Sequence, residues 1–218
     1  MAIYWLNDEI FFPPVEFGSP DGLLAIGGDL SVERLQLAYE SGIFPWYDEP
    51  PILWFCPDPR YVLYPEKFQP SRSLRKVIAK DKFEVTFNQD FEGVIQNCAQ
   101  RRKEGTWIIP EMMEAYTKLH EVGYAISVET WLEGELVGGL YGVAVGTVFC
   151  GESMFNKVSD ASKVAFSYLV QELLQKGFTL IDAQMHNAHL ESLGCEFIPL
   201  QEYLKILRAG LDKKLSIG

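Results

Sequence analysis

An α+β fold is what this sequence predicts, with a small mixed amino-terminal domain over residues 1–59 and a larger domain over 60–218. Three observations carry that reading. Turn residues crowd the amino-terminal stretch. Beyond it, the hydrophobic pattern settles into long helical and strand-like segments. The strands then follow one another directly, as a meander set between helices, where a parallel sheet would alternate strand and helix.

The elements follow in order. Pro13-Pro14, Ser19-Pro20-Asp21-Gly22, Gly27-Gly28-Asp29, Pro50-Pro51 and Pro57-Asp58-Pro59 punctuate short strands and loops. Between them one helix starts at Ser31 as N-cap, carries Leu35, Ala38 and Tyr39, and stops at Gly42. Pro57-Asp58-Pro59 marks the seam between domains. Ser71 or Ser73 caps a basic helix that reaches about Lys80, and the stretch from Phe83 to Phe87 alternates as a strand does. Asp90 opens a helix through Phe91, Val94, Ile95 and Cys98. Pro110 opens another, with Met112, Ala115, Tyr116 and Leu119 on one face. Strands follow from Tyr124 to Leu132, from Glu135 to Val145 and from Thr147 to Met154, with tight turns at Glu133-Gly134 and Gly146. A long helix from Ser159 or Asp160 to Gln175, a strand from Phe178 to Ala183, a turn at Gly194 and a helix from Leu200 to Leu211 complete the chain.

Composition narrows the class. With 218 residues and 48% hydrophobic content the chain can bury a real core. No apolar run has the length of a membrane span, and the amino terminus lacks a basic n-region and a small-residue cleavage site. The expected location is therefore the cytoplasm. Cys56, Cys98, Cys150 and Cys195 lie far apart without a C-x-x-C, as buried thiols would. The net charge of −11 argues against broad nucleic-acid binding, but it is unevenly spread. Residues 1–59 hold ten acids against Arg34 alone, a net of −9, whereas residues 60–103 carry a net of +5. Such a stripe holds a phosphate backbone if it lies on one face; otherwise it is a set of solvated helix surfaces.

Several chemistries are missing their signatures. There is no G-x-x-x-x-G-K-[ST] phosphate loop, and Gly151-Glu152-Ser153-Met154-Phe155 is not a G-x-S-x-G elbow. His186 and His189 have only H-x-x-H spacing, so no metal and no cofactor are expected. Gly138-Gly139-Leu140-Tyr141-Gly142 marks either a close approach by a ligand or crowding within the sheet.

The residues that point to chemistry end two strand-like runs. Gly151-Glu152-Ser153 follows Phe149-Cys150, and Asp182-Ala183-Gln184 follows Leu180-Ile181. If those strands are neighbours, two carboxylates meet at one sheet edge, a costly arrangement that a cationic substrate or a shared proton relieves. If they are not, these are separate solvated acids. Trp46, after Gly42-Ile43-Phe44-Pro45, and Trp107 lie in loop-like contexts near charges. Each is either a base-stacking platform or a partly buried core residue.

Taken with Gly22-Leu23-Leu24-Ala25-Ile26-Gly27-Gly28-Asp29-Leu30, Trp54-Phe55-Cys56-Pro57-Asp58-Pro59-Arg60, Glu104-Gly105-Thr106-Trp107-Ile108, Ala161-Ser162-Lys163 and the two strand ends, this ordered set resembles the leucyl/phenylalanyl-tRNA–protein transferase family over nearly the whole chain. The resemblance implies a GNAT-like catalytic domain whose acyl donor is aminoacyl-tRNA. It implies transfer of Leu or Phe, less readily Met, to proteins that begin with Arg or Lys. The product is marked for degradation by the N-end rule pathway. Asp182, Gln184 and Glu152 would line the reaction centre. Trp46 and Trp107 would hold the terminal adenosine; Leu140, Leu169 and Leu173, with Ser153 nearby, would bind the aminoacyl group. The family often has aromatic residues where this chain has Leu169 and Leu173, and Met in place of Leu140, which bears on pocket volume and on the Leu-versus-Phe preference.

An aminoacyl ester is already activated, which suits the missing phosphate loop. Asp182, directly or through Gln184, would orient the attacking amine, and Glu152 would bind the cationic side chain or stabilise the ammonium formed after attack, with either carboxylate able to take the proton. Arg60, Arg72, Arg75, Lys76 and Lys80 are the candidates for the tRNA backbone, which they would orient without reading bases. A monomer with no membrane partner is expected. One rival, an acetyl-CoA-dependent acetyltransferase, needs an R/Q-x-x-G-x-G/A loop that the segment between Met154 and Ser162 lacks. A second, a non-catalytic adaptor for basic amino termini, leaves the tryptophans without a purpose.

Overall fold

A computed structural model describes residues 3–100, 107–186 and 188–218. Its strands form two sheets. The first takes β1 (Tyr4–Leu6), β2 (Leu23–Gly27), β3 (Phe44–Pro45) and β4 (Leu53–Phe55) in the order β1-β2-β4-β3. Helix α1 (Val32–Glu40) lies between β2 and β3 in the chain, and Ser31 Oγ caps it by accepting Arg34 N at 3.3 Å.

The second sheet follows the proline-rich seam. Its elements in chain order are β5 (Arg60–Leu63), α2 (Arg72–Ile78), β6 (Glu84–Phe87), α3 (Phe91–Gln100), α4 (Pro110–Glu121), β7 (Ala125–Leu132), β8 (Glu135–Val145), β9 (Val148–Asn156), α5 (Ala161–Lys176), β10 (Leu180–Gln184), α6 (Ala188–Glu191), β11 (Glu196–Ile198) and α7 (Leu200–Gly210). The seven strands run β11-β5-β10-β9-β8-β7-β6. Each neighbouring pair is antiparallel except β9 with β10, which α5 joins as the crossover that a parallel pair requires.

Alternation along the strands builds two layers. Tyr141, Cys150 and Leu180 enter one core with Tyr39 of α1, Val94 of α3, Tyr116 of α4 and Tyr203 of α7. Their neighbours Leu140, Phe149 and Ile181 enter another with Phe166, Leu169 and Leu173 of α5. The first core also contains Leu24 and Trp54 of the small sheet, so packing is continuous across the seam.

Most elements lie where the sequence pattern places them, and β8 matches it end to end. Two strands escape that pattern. β5 is buried at every position, so it has no alternation to read, and β11 has only three residues. The paired glycines of β8 resolve as crowding. A Cβ at Gly138 would lie 2.5 Å from Cβ of Ala161, and one at Gly142 would lie 2.2 Å from the Cys150 carbonyl oxygen. Neither faces the cavity described next.

Candidate active site

The pairing of β9 with β10 stops at Asp182↔Cys150, although β9 continues to Asn156 and β10 to Gln184. Glu152 and Gln184 stand just past that point on the two strands. Gln184 Nε2 donates to Glu152 Oε1 at 2.8 Å. Tyr39 Oη lies 2.8 Å from the same oxygen and Tyr116 Oη 3.4 Å from Oε2, and the two hydroxyls also meet each other, so their two protons are shared among three contacts. Burial pushes the Glu152 carboxyl up to about 7, and the charge of Asp182 adds to that; the hydrogen bonds from Tyr39, Gln184 and Tyr116 hold it down. Burial also raises both phenols well above their usual range, which keeps them proton donors at neutral pH.

Asp182 has a different environment. Arg60 grips it in a fork, Nε to Oδ1 at 2.8 Å and Nη2 to Oδ2 at 2.7 Å. Tyr203 Oη donates to Oδ2 at 2.8 Å, and the Gln184 backbone N–H donates to Oδ1 at 2.9 Å. Asp182 is 0% exposed and Arg60 1%. The Arg60 guanidinium carbon lies 4.9 Å from the Phe44 ring centroid and 4.6 Å from that of Tyr203.

Beside Glu152 opens a cavity of about 280 Å³. Leu140, Phe149, Phe166, Leu169 and Ile181 supply apolar wall; Glu152, Ser153 and Gln184 supply the polar side. Trp46 and Trp107 line it as well, Trp46 at 41% exposure with its ring edge-on to Phe55 and Trp107 half-buried against the core.

The sequence-derived candidates therefore divide. Glu152, Gln184, Ser153, Trp46, Trp107, Leu140 and Leu169 meet at one cavity. Asp182 does not line it: its carboxylate is enclosed by Arg60, Tyr203 and the backbone, so the expected direct grip on an amine is withdrawn. Leu173 is 0% exposed and packs in the core below Leu169, outside the cavity wall. Arg60 is a candidate for the tRNA backbone by sequence, but a buried guanidinium committed to a carboxylate cannot reach a phosphate. Arg72, Arg75, Lys76 and Lys80 are exposed on or just after α2, whose Leu74 packs with Val164 of α5. Arg101, Arg102, Lys103 and Glu104-Gly105-Thr106 lie outside the described residues, as does the His189 side chain; His186 pairs with Glu191 at 3.4 Å. Sequence reasoning misses Tyr39, Tyr116 and Tyr203. Their signal is available, because a buried tyrosine hydroxyl needs a partner.

A carboxyl that titrates near neutrality, held against an apolar cavity, can accept a proton from an amine while a hydrophobic acyl group sits beside it. That is the chemistry of an acyltransferase with an amine acceptor. Comparison with known proteins gives the family: the model for leucyl/phenylalanyl-tRNA protein transferase matches residues 62–208, and the model for that family's N-terminal domain matches residues 28–58. The chain belongs to the leucyl/phenylalanyl-tRNA protein transferase family and is an enzyme of the aminoacyltransferase class. It is 53% identical over 211 residues to the leucyl/phenylalanyl-tRNA–protein transferase of Flavobacterium johnsoniae, covering 95% of this chain and 100% of that protein. It is 54% identical over 217 residues to the one from Syntrophobacter fumaroxidans, covering 98% of this chain and 93% of that protein. Solved structures resemble it more remotely. One is a GCN5-related N-acetyltransferase from Kribbella flavida, at TM-score 0.39 and 12% identity, covering 73% of this chain and 58% of that one.

Proposed function

We propose that this enzyme moves Leu or Phe, and less readily Met, from aminoacyl-tRNA to the amino-terminal Arg or Lys of acceptor proteins. The product is marked for degradation by the N-end rule pathway in the cytoplasm. The observation that carries the reading is the Glu152–Gln184 pair at the mouth of an apolar cavity that Trp46 and Trp107 also line. We read the division into domains at 59/60, with the cavity drawing walls from both.

In this mechanism the terminal adenosine stacks on Trp46 and Trp107. The aminoacyl side chain enters between Leu140 and Leu169, and the exposed cations of α2 neutralise acceptor-stem phosphates. The acceptor α-amine has a reference pKa of about 8, so a neutral fraction exists near pH 7. Its lone pair attacks the ester carbonyl carbon. As the C–N bond forms, the nitrogen gains positive charge and gives a proton to Glu152; as the bond to the ribose oxygen breaks, that proton completes the hydroxyl. Nothing else is consumed. Gln184 commits its amide N–H to Glu152, which leaves its carbonyl oxygen to accept from the amine. Asp182 contributes from behind, through the placement of Gln184.

The test uses labelled Leu-tRNA with two peptides, one beginning with Arg and one with Ala. Acid-stable label on the Arg peptide alone is the expected result, and its loss in Glu152→Gln supports the assigned centre. Equal labelling of both peptides, or acetylation from acetyl-CoA, would overturn the reading.

A further inference from the structure

We infer that Arg60 is a positioning residue for the transfer reaction, acting through Asp182 on the side chain of Gln184. This rests on the role just given to Glu152 and Gln184. The geometry runs in one line. Arg60 opens β5, the strand paired to β10, with Val62 opposite Asp182 and Tyr61 opposite Gln184. The register slips between Asp182 and Gln184, and Gln184 adopts φ 62°, a left-handed conformation uncommon for a residue with a side chain. The bond from Gln184 N to Asp182 Oδ1 holds that kink. At the kink Gln184 stays paired opposite Tyr61, and its side-chain amide donates to Glu152 Oε1.

Oδ1 is thus shared between Arg60 Nε and Gln184 N, and Oδ2 between Arg60 Nη2 and Tyr203 Oη. A carboxylate held in a planar fork has one orientation. A lysine at position 60 would keep the charge and leave the carboxylate free to rotate, and the kink at Gln184 would lose its anchor. Arg60 itself is screened from the cavity by the Phe44 ring, so it touches no substrate.

The experiment is a cycle of Arg60→Lys and Gln184→Ala in the full chain, with kcat, KM for Leu-tRNA and the pH profile measured on folded protein. Arg60→Lys should lower kcat by about tenfold or more with KM unchanged. Its profile midpoint should move to higher pH, because Glu152 loses a donor that favours its charged form. In the Gln184→Ala background the same substitution should change kcat by less than about twofold. Equal losses in both backgrounds, or no loss in either, would overturn the inference. If Arg60→Lys does not fold, Tyr203→Phe replaces it in the cycle; there too an additive loss, or none, counts against it. Full activity of Gln184→Ala alone would instead sink the underlying role of Gln184.

Discussion

Asp182 and Glu152 stand on the adjacent strands β10 and β9, Asp182 buried and Glu152 half-buried in the cavity wall, and their surroundings are opposite. Asp182 faces a guanidinium, so its charge is neutralised in place and its lone pairs are all engaged. Among the described residues the donors to Glu152 are neutral, Tyr39, Tyr116 and Gln184, which engage its oxygens without cancelling the charge. Burial then lifts it to about 7. The lesson is that a cationic partner makes a buried carboxylate structural, and neutral partners make it titratable where enzymes work.

The comparison breaks most sharply at Asp182. Asp182→Ala leaves the buried Arg60 charge unpaired and should cost about 3–5 kcal/mol of stability, read from urea unfolding. A loss below about 1 kcal/mol would mean that the Arg60 fork is not holding the fold. Glu152→Gln should do the reverse to stability while lowering kcat by about a hundredfold or more. Folded Glu152 titrates at about 7 against an ordinary 4.5, so the folded state binds the proton more tightly and loses stability as pH rises between those values. The glutamine variant should therefore match the wild type below about pH 4 and exceed it by about 3 kcal/mol at pH 8. Unfolding curves at both pH values check this; equal stability at pH 8 would remove the raised carboxyl.

Smaller effects sharpen the division between proton uptake and binding. Trp46→Ala should raise KM for aminoacyl-tRNA by about 1–3 kcal/mol in free-energy terms and leave the pH midpoint where it is. A shifted midpoint would couple the indole to Glu152. Charge reversal at Arg75 and Lys76 should reduce the log–log salt slope of tRNA binding by roughly 0.7–0.9 for each phosphate that is no longer neutralised. An unchanged slope would make α2 a solvated face.

Much of this is legible in the sequence, for stated reasons. Helices with caps and apolar stripes, such as α1 behind Ser31 and α4 behind Pro110, announce themselves locally. The strands carrying Glu152 and Gln184 can be found because polar residues interrupt apolar runs, although β9 continues past Glu152 to Asn156. The function of Arg60 cannot be read, because its partner lies 122 residues away and nothing local distinguishes it from the surface cations that follow. Charge clustering in sequence suggests a stripe that the fold divides: Lys67 pairs with Glu196 at 2.5 Å, Arg60 goes inside, and the α2 cations stay in water. Leu173 shares a helix face with Leu169, which places both in the pocket by sequence, but helical spacing does not tell how deep along the helix the cavity reaches.

The long separations have a consequence in time. Tyr39 is 113 residues from Glu152, and Arg60 is 122 residues from Asp182. At about 5–20 residues per second, a ribosome takes roughly 6–24 s to reach Asp182 after making Arg60. Through that interval the emerging chain carries Arg60 without Asp182, and until Glu152 is made it carries Tyr39 without its acid as well. Tyr203, the last donor to the Asp182 carboxylate, comes later still, on the final helix. The hydrogen bonding around Asp182 can thus be completed only when synthesis is nearly done, and a chain truncated before α7 is one in which Asp182 keeps Arg60 but lacks the Tyr203 donor.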